Sequence, residues 1–189
     1  TSLSRIQITT IESTGDLECQ NANGDADGWQ DCVADDYVTA GTSLRLTPAA
    51  NSVADITFSF KVHDGTAYSA SSYVMTVSVT AANDAPTFSA TANDLTVNED
   101  TAGTITGTTV ADIDDSSLTM TVASTQSATF SLATTTGLTF SAGDGTSDNT
   151  MTFSGTTANV NNAIATVTWT SQLNNNNNAQ LSFTVSDGE

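Results

Sequence analysis

The sequence predicts an all-β protein built as two tandem β-sandwich domains. Three observations predict it. Apolar residues alternate with period two along many short runs, Thr, Ser and Asn supply most of the polarity, and Gly-, Asn- and Asp-rich clusters separate the runs. With 189 residues, the chain is long enough for two domains of about 90–100 residues, each able to bury a core. Thr beside Val, Ile and Phe favours pleated, half-buried strands.

Taken in order, Leu3 to Ile8 opens the first domain as a strand. Ile56, Phe58, Phe60 and Val62 share one face of a later strand, and Tyr73, Met75, Val77 and Val79 share one face of the next. In the second half the pattern recurs at Leu118, Met120 and Val122, at Met151 and Phe153, at Val167 and Trp169, and at Leu181, Phe183 and Val185. His63-Asp64-Gly65 and Gly143-Asp144-Gly145 read as turns. One stretch departs from the pattern: Val160, Ile164 and Val167 stand at helical spacing, and a short helical crossover is expected over 158–166.

Between the halves runs Asn83-Asp84-Ala85-Pro86, a stiff acidic linker that separates a domain over 1–82 from one over 87–189. The halves resemble each other. Ile56 to Gly65 lines up with Leu181 to Gly188, both alternating strands that end in Asp-Gly, and Leu44-Arg45-Leu46-Thr47-Pro48 matches Val167-Thr168-Trp169-Thr170. A repeat near 100 residues signals a tandem array. Its phase leads us to expect a window cut from a longer repetitive protein, with N-terminal strands missing from the first domain and a last strand missing from the second.

Charge narrows the functions. There are 21 acidic residues against 3 basic ones, a formal net charge of -18. Phosphate binding needs clustered Lys and Arg, so nucleic acid is excluded as a partner and an anionic membrane surface is disfavoured. No run of 18 apolar residues exists, so no membrane insertion is expected. Self-repulsion of this size favours neutralisation by bound cations. Carboxylates gather around the linker: Asp84 within it, then Asn98-Glu99-Asp100 and Asp112-Ile113-Asp114. Ca²⁺ takes six to eight oxygen ligands from such groups, although a solvated loop surface is the ordinary fate of Asp in turns.

A second acidic loop lies at Asn21 to Cys32. Asn23, Asp25 and Asp27 alternate, Gly28 holds the sixth place counted from Asn23, and Asp31 follows. The spacing resembles the Ca²⁺ loops of EF-hands and thrombospondin type 3 repeats, but the twelfth place is Ala34 where an EF-hand has Glu. Either a Ca²⁺ site or a stapled hairpin tip fits. Cys19 and Cys32, the only cysteines, flank this loop and suit one disulfide and an oxidising compartment. Two reduced core thiols are the other reading.

Val62-His63-Asp64-Gly65, Asn83-Asp84-Ala85-Pro86, Val97-Asn98-Glu99-Asp100-Thr101 and Ala111-Asp112-Ile113-Asp114 come in a telling order. With Gly137-Leu138-Thr139-Phe140, Gly143-Asp144-Gly145, Met151-Thr152-Phe153-Ser154-Gly155 and Val185-Ser186-Asp187-Gly188 they resemble the cadherin-like tandem repeats of large bacterial, RTX-type surface adhesins. The resemblance implies two Greek-key, cadherin- or Ig-like sandwiches. It also implies one Ca²⁺ held by Asn83, Asp84, Asp112, Asp114 and Asp187, with Glu99 serving the next joint. Asp64 takes the part of Asp187 in the first domain, its Asp-x-Asp partner falling before Thr1.

The function expected is that of a calcium-stiffened spacer, extracellular or at the cell surface, whose partners are neighbouring repeats of the same polypeptide or of adjacent copies. Two alternatives stay open: a subunit of an extracellular filament or surface layer, and a module that binds a glycan, a cell-surface ligand or itself through Trp29, the 21–36 loop and Asn174–Asn178. An enzyme is not expected. His63 is the sole histidine, so a Ser-His-Asp triad could form only around it, and alternation points it to solvent. Zinc is disfavoured with one His and two paired Cys. Lys61 points off the core face, against an isopeptide bond. Trp169 reads as core and Trp29 as packing.

Overall fold

The structure is a computed structural model that describes residues 2–11, 14–25, 28–90, 94, 96–98, 100–125, 128–175 and 177–189. The chain divides into two compact units, Thr1–Ala82 and Asn83–Glu189. Residues 83–86, read as linker, fall in the second. Both units are β-sandwich-like, and all strand pairs are antiparallel.

The first unit contains β1 (Arg5–Thr10), β2 (Asp16–Gln20), β3 (Trp29–Asp31), β4 (Tyr37–Thr39), β5 (Leu44–Thr47), β6 (Ile56–His63) and β7 (Tyr73–Val77). They form a four-stranded sheet, β4-β1-β6-β7, and a three-stranded one, β3-β2-β5. The inner faces meet in a core of Ile8, Leu17, Cys19, Val38 and Phe58, edged by Ile6, Leu44, Leu46 and Phe60. Alternation explains this core, because Ile6 and Ile8 on β1 and Leu17 and Cys19 on β2 occupy every second place.

The second unit contains β8 (Thr87–Ser89), β9 (Ala102–Thr106), β10 (Thr109–Ala111), β11 (Ser117–Ser124), β12 (Thr129–Leu132), β13 (Thr139–Ala142), β14 (Thr150–Thr156), β15 (Thr166–Thr170), β16 (Leu181–Ser186) and one helix, α1 (Thr157–Ile164). The sheets are β13-β14-β11-β16, β12-β15-β9 and the pair β10-β8. Leu118, Met120 and Val122 face Met151 and Phe153 within a core closed by Phe130, Val160, Ile164 and Val167.

The expected crossover helix is present. Thr156 ends β14 in an extended conformation, and its hydroxyl accepts from the Asn159 N–H, capping α1. Val160, Ala163 and Ile164, spaced i, i+3 and i+4, are the buried stripe. Asn161 projects from the helix onto β10, where its Oδ1 accepts from the Val110 N–H at 2.7 Å and its Nδ2 donates to the Val110 carbonyl at 2.8 Å.

Several local expectations are revised. The first strand runs Arg5–Thr10 in place of Leu3 to Ile8, and the seventh ends at Val77, short of Val79. Tyr73 and Met75, in register with Phe60 and Phe58 on the neighbouring strand, are 53% and 45% exposed. His63 is half-buried, not solvent-exposed, since the Tyr68 ring meets it edge-on at 4.6 Å.

Candidate functional site

The carboxylates around Asn83 are brought together by strand register. β8 and β10 pair antiparallel with Ala111 opposite Thr87. Residues just before Thr87 therefore lie alongside those just after Ala111, and the Thr87 hydroxyl adds a bond to the Ala111 carbonyl at 3.1 Å. β16 runs antiparallel to β11 with Ser186 opposite Thr119. That register delivers Asp187 to the end of the sheet where the 112–115 turn enters β11.

A continuous run of hydrogen bonds then joins the five residues. Asp187 Oδ2 accepts from Asn83 Nδ2 at 2.8 Å. The next backbone N–H, that of Asp84, donates to Asp114 Oδ2 at 2.8 Å. Asp112 Oδ1 accepts from the Asp114 and Asp115 N–H groups at 2.9 and 2.7 Å, the turn chemistry that lets Asp close a loop on itself. The Asn83 amide, then the Glu189 N–H, hold the Asp187 carboxyl below its ordinary value of 3.8.

Asp112 Oδ2 is the exception in this network. It is buried and has no hydrogen-bond partner. A buried carboxylate oxygen left without a donor is costly, on the order of 1–3 kcal/mol or more for a charged group. No protein cation of this unit can relieve it. Residues 83–189 contain eleven Asp and Glu and not one Lys, Arg or His. The three basic residues, Arg5, Arg45 and Lys61, all stand in the first unit. That asymmetry was readable in the sequence and is the signal that whole-chain counting hides.

The donor set is of the right kind for a hard cation: carboxylate, amide and backbone oxygens with lone pairs beyond the bonds described. Among the described residues, no three Asp, Glu, His or Cys side chains already converge in a metal-holding group. Glu99 lies outside the described residues.

The 21–36 loop is organised differently. Asn23 uses both ends of its amide on the loop itself, Nδ2 donating to Asp36 Oδ1 at 2.7 Å and Oδ1 accepting from the Tyr37 N–H at 3.1 Å. Asp36, which could replace the missing EF-hand Glu only with a shifted backbone, is buried and also accepts from the Val33 N–H at 2.9 Å. Asp25 is exposed, and Asp31 ends β3 opposite Glu18. Asp27 lies outside the described residues. A Cys19–Cys32 disulfide staples the loop, with Cα atoms 5.2 Å apart.

Trp29 is 38% exposed, with the Arg45 guanidinium 4.7 Å from its ring centroid. Arg45 is held there by two bonds to the Glu18 carboxylate, at 2.5 and 2.6 Å, and that pairing lowers the Glu18 pKa. Trp169 packs against the core of the second unit, as expected. Asp64 spends one oxygen on the Thr66 and Ala67 N–H groups, which hold its pKa below 3.8. No helix among the described residues is long and apolar enough to cross a membrane. Compared with protein-family models, curated proteins and solved structures, the chain matches none.

Proposed function

We propose that this chain is a calcium-stiffened repeat module of an extracellular surface adhesin, a spacer whose joints are set by bound Ca²⁺. The observation that carries the reading is the buried, unpartnered Oδ2 of Asp112, placed in a bonded network with Asp114, Asp84, Asn83 and Asp187. The unit has no basic side chain that could serve this oxygen, which suits neutralisation by a cation from solution. When bound, Ca²⁺ would neutralise these carboxylates and tie residues 83–84 to the Asp112–Asp114 turn and to Asp187. The hydrogen bonds present without it already restrict these side chains, and the carboxylates would have to converge further to share an ion. The disulfide agrees with an oxidising, extracellular setting.

Calorimetric titration of Ca²⁺ into chelator-stripped protein, beside thermal melts with and without the ion, tests this. At least one site, a rise in melting temperature, and loss of that site in the Asp112→Ala/Asp114→Ala variant are expected. No heat and no shift at millimolar Ca²⁺ would sink the reading. Exposed Trp29 favours a second reading, a glycan- or self-binding module, which a glycan screen with Trp29→Ala addresses.

A further inference from the structure

In the second unit, residues 108–116 are laid against α1, which runs antiparallel to them. The Thr108 hydroxyl donates to the Ile164 carbonyl, and Asn161 serves both backbone groups of Val110. At the other end of the helix, the Thr157 N–H donates to the Ser116 carbonyl at 2.9 Å. The acidic turn is thus pinned to one helix on both flanks. Val110 stands two residues before Asp112, and Ser116 stands two after Asp114.

Among the described residues, β10 pairs with β8 alone, so no strand ladder joins this ribbon to the larger sheets. Its hold on the body comes from α1 and from packing, with the Phe88 ring of β8 stacked on Phe183 of β16 at 5.3 Å. Thr108 and Val110 are buried, so their polar groups would go unserved without the helix. The helix gains as well, because its last carbonyls lack intrahelical donors and Thr108 supplies one to Ile164. The candidate site straddles this ribbon and the main sheet. Asp84 stands three residues before β8 begins and Asp112 directly follows the end of β10, whereas Asp187 arrives on β16. Where α1 sets the ribbon therefore decides whether the two groups of carboxylates meet.

We propose that α1 governs the Ca²⁺ affinity of this site, with Asn161 as its positioning residue. The inference rests on the calcium reading above and adds what controls it. Asn161 spends both ends of its amide on Val110 and acts on the ion only through the ribbon. A ribbon released from α1 takes Asp84, Asp112 and Asp114 away from Asp187. The apparent affinity then falls by the fraction of molecules in which the ribbon is docked. The coupling is reciprocal, so a bound ion in turn favours the docked ribbon.

The test is calorimetric titration of Ca²⁺ into the chelator-stripped whole chain, well below the melting temperature of every variant. Asn161→Ala is expected to weaken binding at least about fivefold. Thr108→Val keeps the side chain's shape, loses its bond to Ile164 and carries the test should Asn161→Ala fail to fold. Two controls should keep the parent's affinity. Asn159→Ala removes a bond that the same helix makes to the Gly137 carbonyl, not to the ribbon. Met151→Ala hollows the core opposite Val122, toward the end of β11 away from the turn, and lowers the melting temperature. Undiminished affinity in the folded ribbon variant overturns the proposal and leaves the calcium reading standing. So does an equal loss in either control, which would make affinity a follower of stability. A parent that binds no Ca²⁺ overturns both.

Discussion

Asn83 and Asp187, 104 positions apart, are joined by one hydrogen bond of 2.8 Å that fastens the entry of the second unit to its last strand. The bond needs an ionised Asp187 to be at full strength, and it depresses that group's pKa. A carboxyl depressed on folding adds stability above its unfolded pKa and loses it as pH falls through the folded value. Stability of the second unit should therefore hold from neutral pH to about 4 and decline below it. Asn83→Ala flattens that decline, and melts recorded between neutral and acid pH check it.

Asp112→Asn should separate the two faces of the Asp112 carboxylate. The turn-closing acceptor is retained, while the charge at the buried, unpartnered oxygen is removed. In calcium-free buffer the variant melts no lower than the parent, because an unpaired buried charge costs more than an unpaired neutral group. In millimolar Ca²⁺ it lacks the parent's rise. A variant that still gains the full increment would place the ion elsewhere.

Asn161 stands in for a strand, serving both backbone groups of Val110 with one side chain. Asn161→Ala leaves both groups unserved and should cost about 2–4 kcal/mol. For a domain of this size that is a fall on the order of 10 °C in melting temperature. Asn161→Asp keeps the acceptor but sets a carboxylate against the Val110 carbonyl, and is not expected to rescue.

Reducing Cys19–Cys32, or replacing both by Ser, should lower the stability of the first unit by about 3 kcal/mol. Asn23 and Asp36 would still brace the loop, so its local hydrogen bonds are expected to outlast the covalent link. Urea unfolding followed by Trp29 fluorescence, with and without reductant, measures the difference.

Period-two alternation made Ile56, Phe58, Leu118, Met120, Val122, Met151 and Phe153 legible as core, and helical spacing marked α1. These are local patterns, and local patterns survive in a sequence. What failed was non-local. Tyr73 and Met75 carry the same alternation as Phe58, yet are 53% and 45% exposed, and alternation within a strand does not say what packs against it. Nor could spacing reveal that Asn23 would be spent on Asp36 and Tyr37, because the EF-hand-like pattern leaves those two outside its register. Around Asn83 the motif order singled out five residues, and the structure joins them by hydrogen bonds. Only pairing of β8 with β10 and of β11 with β16 explains how they meet.

The lack of Lys and Arg after Lys61 reaches beyond electrostatics. Trypsin accepts a basic side chain into a pocket lined by an aspartate, and such bonds in this chain follow Arg5, Arg45 and Lys61 alone. Everything from Val62 to Glu189 is a single fragment to that enzyme, whether folded, calcium-free or denatured. From Val62 onward, resistance to trypsin-like proteolysis is a property of composition and would persist after every contact described above had been lost.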